Sequence, residues 1–112
     1  MSRITTHVLD TSRGIPATGI PVILFMESDH HWIELGRDVT KEDGRAGALA
    51  DPDVVLPRGN YKLVFETRPY FEQKGTVAFY PVVEIIFHIN SGEYYHIPLL
   101  LSPFGYSTYR GS

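Results

Sequence analysis

No cysteine occurs in the 112 residues. That absence excludes a thiol nucleophile, thiolate zinc sites and disulfides. The chain must therefore be held by its apolar core, extended by any subunit contacts, and it suits any redox environment. Long apolar runs are missing too: Glu84 splits the most hydrophobic segment, and no stretch reaches bilayer length, which excludes a helical membrane span. Nor is there a basic excess. Thirteen acidic against ten basic residues leave a net charge of −3, with no cluster of Lys and Arg, so nucleic acid is not an expected partner. No secretory apolar region follows Arg3, and the terminal Arg-Gly-Ser is not a peroxisomal address. A cytoplasmic location is the expectation. A chain of 112 residues has room for one core, so residues 1–112 are expected to form a single domain.

What is present is β-pattern. Residues 4–10 (ITTHVLD) alternate, with Ile4, Thr6 and Val8 on one face and Thr5, His7 and Leu9 on the other. Residues 21–27 (PVILFME) form an almost wholly apolar strand, and Ser28-Asp29-His30-His31 turns it into a partner strand over 32–38. A loop over 39–47 is built on Asp43-Gly44, and residues 48–57 carry no clear period. Strands follow at 61–67, with Tyr61, Leu63 and Phe65 facing one way, and at 82–90, with Val83, Ile85, Phe87 and Ile89 inward. Between them, Pro69 and Gly75 bracket one short helix over 69–74. Asn90-Ser91-Gly92 reads as a hairpin turn into the last strand, 94–101. There Tyr95, Ile97, Leu99 and Leu101 read as core, while Tyr94, His96, Pro98 and Leu100 share the other face. Six or seven strands between Gly/Pro turns, with one short helix, predict an all-β, two-sheet β-sandwich. The tail holds Phe104, Tyr106 and Tyr109; such aromatic content in a terminus predicts that it docks on the domain.

Three basic side chains stand out: His7, Arg45 and His96. Each alone has an ordinary reading, a strand histidine with a hydrogen-bond partner or a solvated loop arginine. Glu27, Asp29, His30, His31 and Glu34 crowd one turn, where a solvated hairpin tip is favoured over a metal site. Gly105-Tyr106-Ser107-Thr108-Tyr109 misses the nucleophile-elbow pattern because Tyr109 replaces the second glycine.

Four separated segments carry a resemblance: Thr6-His7-Val8-Leu9-Asp10; Asp43-Gly44-Arg45; Tyr95-His96-Ile97-Pro98 leading into Leu99-Leu100-Leu101-Ser102-Pro103; and Tyr109-Arg110-Gly111-Ser112. In this order they closely resemble the 5-hydroxyisourate hydrolases, the transthyretin-like enzymes of urate breakdown. Transthyretin, the thyroid-hormone carrier, is similar in its Val-Leu-Asp strand and Leu-Leu-Ser-Pro run. It lacks counterparts of His7, Arg45 and His96 and ends in a different, longer tail. Ile15, within the Arg-Gly-x-Pro loop, is a minor departure from the pattern.

The resemblance implies a transthyretin-like (prealbumin-like) sandwich that hydrolyses 5-hydroxyisourate to 2-oxo-4-hydroxy-4-carboxy-5-ureidoimidazoline. It implies a catalytic set of His7, His96, Arg45 and Ser112, and substrate binding by His7, Arg45, Tyr109 and Arg110. It further implies a homotetramer, a dimer of dimers with sites at the dimer–dimer interface, and neither cofactor nor metal. The residue types suit that chemistry. A neutral imidazole can take a proton from water, and a guanidinium fork suits a carbonyl-rich, partly anionic ring. Either histidine could serve as base. The alternative is a non-enzymatic carrier of small aromatic ligands on the same scaffold; a structural interaction module would leave the joint presence of His7, Arg45 and His96 without a reason.

Overall fold

The structure, a computed structural model, describes residues 3–90 and 94–111. The alternation at the N-terminus becomes β1 (Arg3–Asp10), with Ile4, Thr6, Val8 and Asp10 buried and Thr5, His7 and Leu9 half-buried. β2 (Ile15–Pro16) pairs with the end of β1. β3 (Pro21–Ser28) and β4 (His31–Val39) form a hairpin. Its turn residues Asp29 and His30 have φ of 49° and 65°, the left-handed pair that matches strand twist in a two-residue hairpin loop. The pairing slips between Leu24 and Phe25, leaving Leu35 as the extra residue of a bulge. β5 (Arg45–Ala46) is a two-residue strand, followed by the predicted irregular segment. β6 (Gly59–Phe65), the short helix α1 (Arg68–Glu72), β7 (Val83–Ile89), β8 (Tyr94–Ser102) and β9 (Gly105–Thr108) complete the order.

Two sheets face each other. One runs β2-β1-β8-β9, with β5 also on β1; the other runs β4-β3-β6-β7. Between them lie Ile4, Val8, Leu24, Leu63, Phe65, Ile89 and Leu99, all 1% exposed or less. Removing such a side chain from water contributes about 1.5–3 kcal/mol, which makes this layer the main source of stability.

The expected two-sheet sandwich is therefore what forms, and the one short helix spans Arg68–Glu72, one or two positions earlier than the predicted 69–74. The hairpin expected at Asn90-Ser91-Gly92 does not form. β7 pairs with β6 in one sheet while β8 pairs with β1 and β9 in the other, so this connection changes sheets; Ser91 and Gly92 lie outside the described residues. The tail docks as predicted. β9 folds back antiparallel on β8, and beyond it the Gly111 N–H donates to the His96 carbonyl at 2.8 Å.

Candidate active site

The outer face of the β5-β1-β8 sheet gathers three of the predicted residues. Alternation buries Ile4, Thr6 and Val8, which turns Thr5 and His7 outward. β5 lies antiparallel to β1 with Arg45 opposite His7; β8 lies parallel to it with His96 opposite Thr5 and Pro98 opposite His7. A guanidinium and two imidazoles from segments far apart in the chain thus share one face.

Each is held differently. His7 Nε2 lies 2.7 Å from the Asp43 carbonyl oxygen. A carbonyl only accepts, so Nε2 carries the proton and, in the neutral ring, Nδ1 keeps the lone pair. The carbonyl is brought there by a tight turn: Gly44 N–H donates to the Lys41 carbonyl at 2.8 Å, and Gly44 has φ +82°. Asp43 also accepts the Arg45 N–H at 3.0 Å and sits 3.8 Å from the Arg45 Nε. His96 Nδ1 lies 2.8 Å from Thr5 Oγ1, which is in turn 2.9 Å from the Tyr94 hydroxyl. Burial pushes the His96 pKa below the ordinary imidazole value, and the Arg45 guanidinium and the neighbouring His7 push it the same way. His96 is therefore neutral near pH 7. The tail presses on the same ring: a Cβ built on Gly111 would sit 2.7 Å from His96 Cδ2 and 3.3 Å from Pro98 Cγ. Glycine is needed for that approach.

A family comparison gives this face its context. The model of the HIUase/Transthyretin family matches residues 4–111. The chain belongs to that family. Within the family it is 46% identical over 110 residues to a probable 5-hydroxyisourate hydrolase of Caenorhabditis elegans, covering 97% of this chain and 80% of that one. The 5-hydroxyisourate hydrolase of Mus musculus is 46% identical over 114 residues, covering 99% and 96%. Among solved structures, the Klebsiella pneumoniae 5-hydroxyisourate hydrolase superposes with a TM-score of 0.86 at 38% identity over 100% of both chains. Sea bream transthyretin in complex with thyroxine superposes with a TM-score of 0.86, but at 27% identity over 96% and 93%.

Against this family background, the other predicted residues sit apart from the histidine face within one chain. Tyr109 and Arg110 line an apolar cavity of about 240 Å³ with Ile85, Phe87, Tyr95 and Ile97, and the Arg110 guanidinium stacks 4.6 Å from the Tyr95 ring centroid. Ser112 lies outside the described residues. Around the β3–β4 turn, Glu34 pairs with Arg37 and Glu27 accepts from Asn60. Among the described residues no group of three or more His, Asp and Glu side chains is placed to hold a metal ion. Also among them, no helix is long and apolar enough to cross a membrane. Sequence reasoning missed the Asp43 carbonyl and the Thr5 and Tyr94 hydroxyls as partners of the histidines. Alternation had already put Thr5 beside His7 and Tyr94 beside His96; the parallel register that joins the two pairs was the missing piece.

Proposed function

We propose that this chain, as one domain, hydrolyses 5-hydroxyisourate to 2-oxo-4-hydroxy-4-carboxy-5-ureidoimidazoline. The observation that carries the proposal is the convergence of His7, Arg45 and His96 on one outward sheet face, in a chain so similar to 5-hydroxyisourate hydrolases. His7 Nδ1, with its lone pair, takes a proton from water while the water oxygen adds to the ring carbonyl. The oxyanion meets Arg45 and His96, both donors placed where negative charge develops. The C–N bond then breaks, the proton held by His7 passes to the leaving nitrogen, and the product keeps both fragments in one molecule. Water and substrate are the only reactants. Tyr109, Arg110 and Ser112 complete substrate binding and catalysis in a cytoplasmic homotetramer, a dimer of dimers. An open sheet face is a poor place to exclude water, so a second subunit laid over the histidines gives the tetramer a catalytic reason.

The test is to follow ultraviolet absorbance of freshly generated 5-hydroxyisourate and identify the product by 13C NMR. Accelerated decay to the ring-opened carboxylate is expected. Decay at the spontaneous rate would overturn the enzyme reading and leave the carrier of small aromatic ligands, which calorimetry with thyroxine would then examine.

A further inference from the structure

Behind His96 lies a chain of hydroxyls that the proposed mechanism does not use. Tyr94 is adjacent in β8 to the core residue Tyr95, yet its own ring turns outward, is 47% exposed and stacks on the His96 imidazole at 6.4 Å between centroids and 11° between planes. Its hydroxyl meets Thr5 Oγ1 at 2.9 Å, and Thr5 Oγ1 meets His96 Nδ1 at 2.8 Å. One Thr5 oxygen thus serves two partners from the neighbouring strand. It has one proton to give and lone pairs to receive with.

We infer that Thr5 is a positioning residue for His96: it accepts the Tyr94 O–H and donates its own proton to His96 Nδ1, so that the neutral ring carries its hydrogen on Nε2. A phenol is a stronger acid than an aliphatic alcohol, so Tyr94 is the better donor of the two hydroxyls and Thr5 the better acceptor. With that first bond oriented, the Thr5 proton is left for the imidazole, which accepts only through a bare Nδ1. An imidazole N–H donating to Thr5 would either turn the Thr5 proton onto the phenol oxygen, the weakest acceptor of the three, or make Thr5 accept from both partners and give up its own donation within the chain. The permanent charge facing the ring, the Arg45 guanidinium from β5, is positive and opposes a second proton on it, as does the proton that His7 of β1 takes up during turnover. The consequence is a division of labour. His7, anchored through Nε2–H, offers a lone pair; His96, anchored through Nδ1, offers an N–H. A pair of identical side chains becomes one base and one donor.

This inference deepens the hydrolase reading and depends on it, so two readouts are paired. Ring 15N shifts of His96 report the tautomer without any substrate, and kcat and KM report catalysis. Thr5→Val replaces the hydroxyl by a methyl of similar volume in a strand that favours β-branched residues. It is expected to move the His96 ring shifts away from the pure Nε2–H pattern. It should also lower kcat by about tenfold or more, as loss of the group that holds a catalytic imidazole in its tautomer does, with KM nearly unchanged if Thr5 acts through His96 and not on substrate. Thr5→Ser should restore both the shifts and most of the rate, and Tyr94→Phe should give an intermediate loss. An active wild type whose Thr5→Val variant keeps its His96 shifts and kcat within twofold would overturn the inference while leaving the hydrolase reading intact. A His96 that carries its proton on Nδ1 in the wild type would overturn it as well. A wild type with no activity above the spontaneous rate would sink the hydrolase reading and, with it, the catalytic role given to Thr5.

Discussion

At the scale of single residues, the proposed chemistry depends on a neutral imidazole beside a guanidinium. His96 has its pKa depressed from 6.5 by burial, then by Arg45 and His7. The unfolded chain therefore binds a proton at a higher pH than the folded one. Stability contributed by the neutral ring is complete above pH 6.5 and is lost as the pH falls through the folded value. Urea midpoints measured from pH 7.5 downward should decline for the wild type, and His96→Gln should flatten that decline. Asp10 shows the opposite kind of control. Burial disfavours its charge, but bonds from the Ser12 and Tyr70 hydroxyls and from the Arg13 and Ser12 N–H groups outweigh it and hold its pKa below 3.8. Its contribution is present above pH 3.8 and lost as the pH falls through the folded value. The Tyr70 hydroxyl donates to Asp10 Oδ2 at 2.8 Å inside the protein, tying α1 to the end of β1. Tyr70→Phe leaves that carboxylate one donor short and should cost about 1.5–3 kcal/mol in denaturant unfolding.

At the scale of elements, the turn before β5 aims two site residues together, His7 through the Asp43 carbonyl and Arg45 through strand pairing. A Cβ on Gly44 would fall 2.5 Å from the Val8 carbonyl oxygen and 3.2 Å from His7 Cδ2, at φ +82°. Gly44→Ala should therefore lower stability by about 1–3 kcal/mol and reduce kcat through a displaced His7. Denaturation and steady-state rates on the same sample check both effects. Elements of this kind mark the boundary of what the sequence made legible. Alternation located β1 and β8 and the outward face with His7 and His96, and a nearly unbroken apolar run located β3. β2 and β5 are two residues long, too short for any period, and β9 is polar and exposed, so its pairing rests on the Pro103-Phe104 reversal. The glycine near residue 92 suggested a reversal. Only the parallel register of β1 and β8, which sets Ile4 and Val8 beside Tyr95 and Leu99 on the buried face, determines which sheet receives the chain.

At the scale of the whole molecule, the three basic residues lie on the outside of a sandwich whose apolar cavity is elsewhere, lined by Tyr109 and Arg110. The proposed tetramer would cover that face with a second subunit. Light scattering should then give the mass of four chains, and specific activity should fall when dilution dissociates them; a fully active monomer would contradict that arrangement. The central claim, that this outward face performs the hydrolysis, is tested most directly by kcat/KM for 5-hydroxyisourate. Wild type should be compared with His7→Ala, His96→Ala and Arg45→Glu, each first shown to keep the fold and mass of the parent. The account predicts rapid wild-type turnover and losses on the order of 100-fold or more in each variant. Wild-type rates retained in the three variants would place the chemistry somewhere else on the molecule.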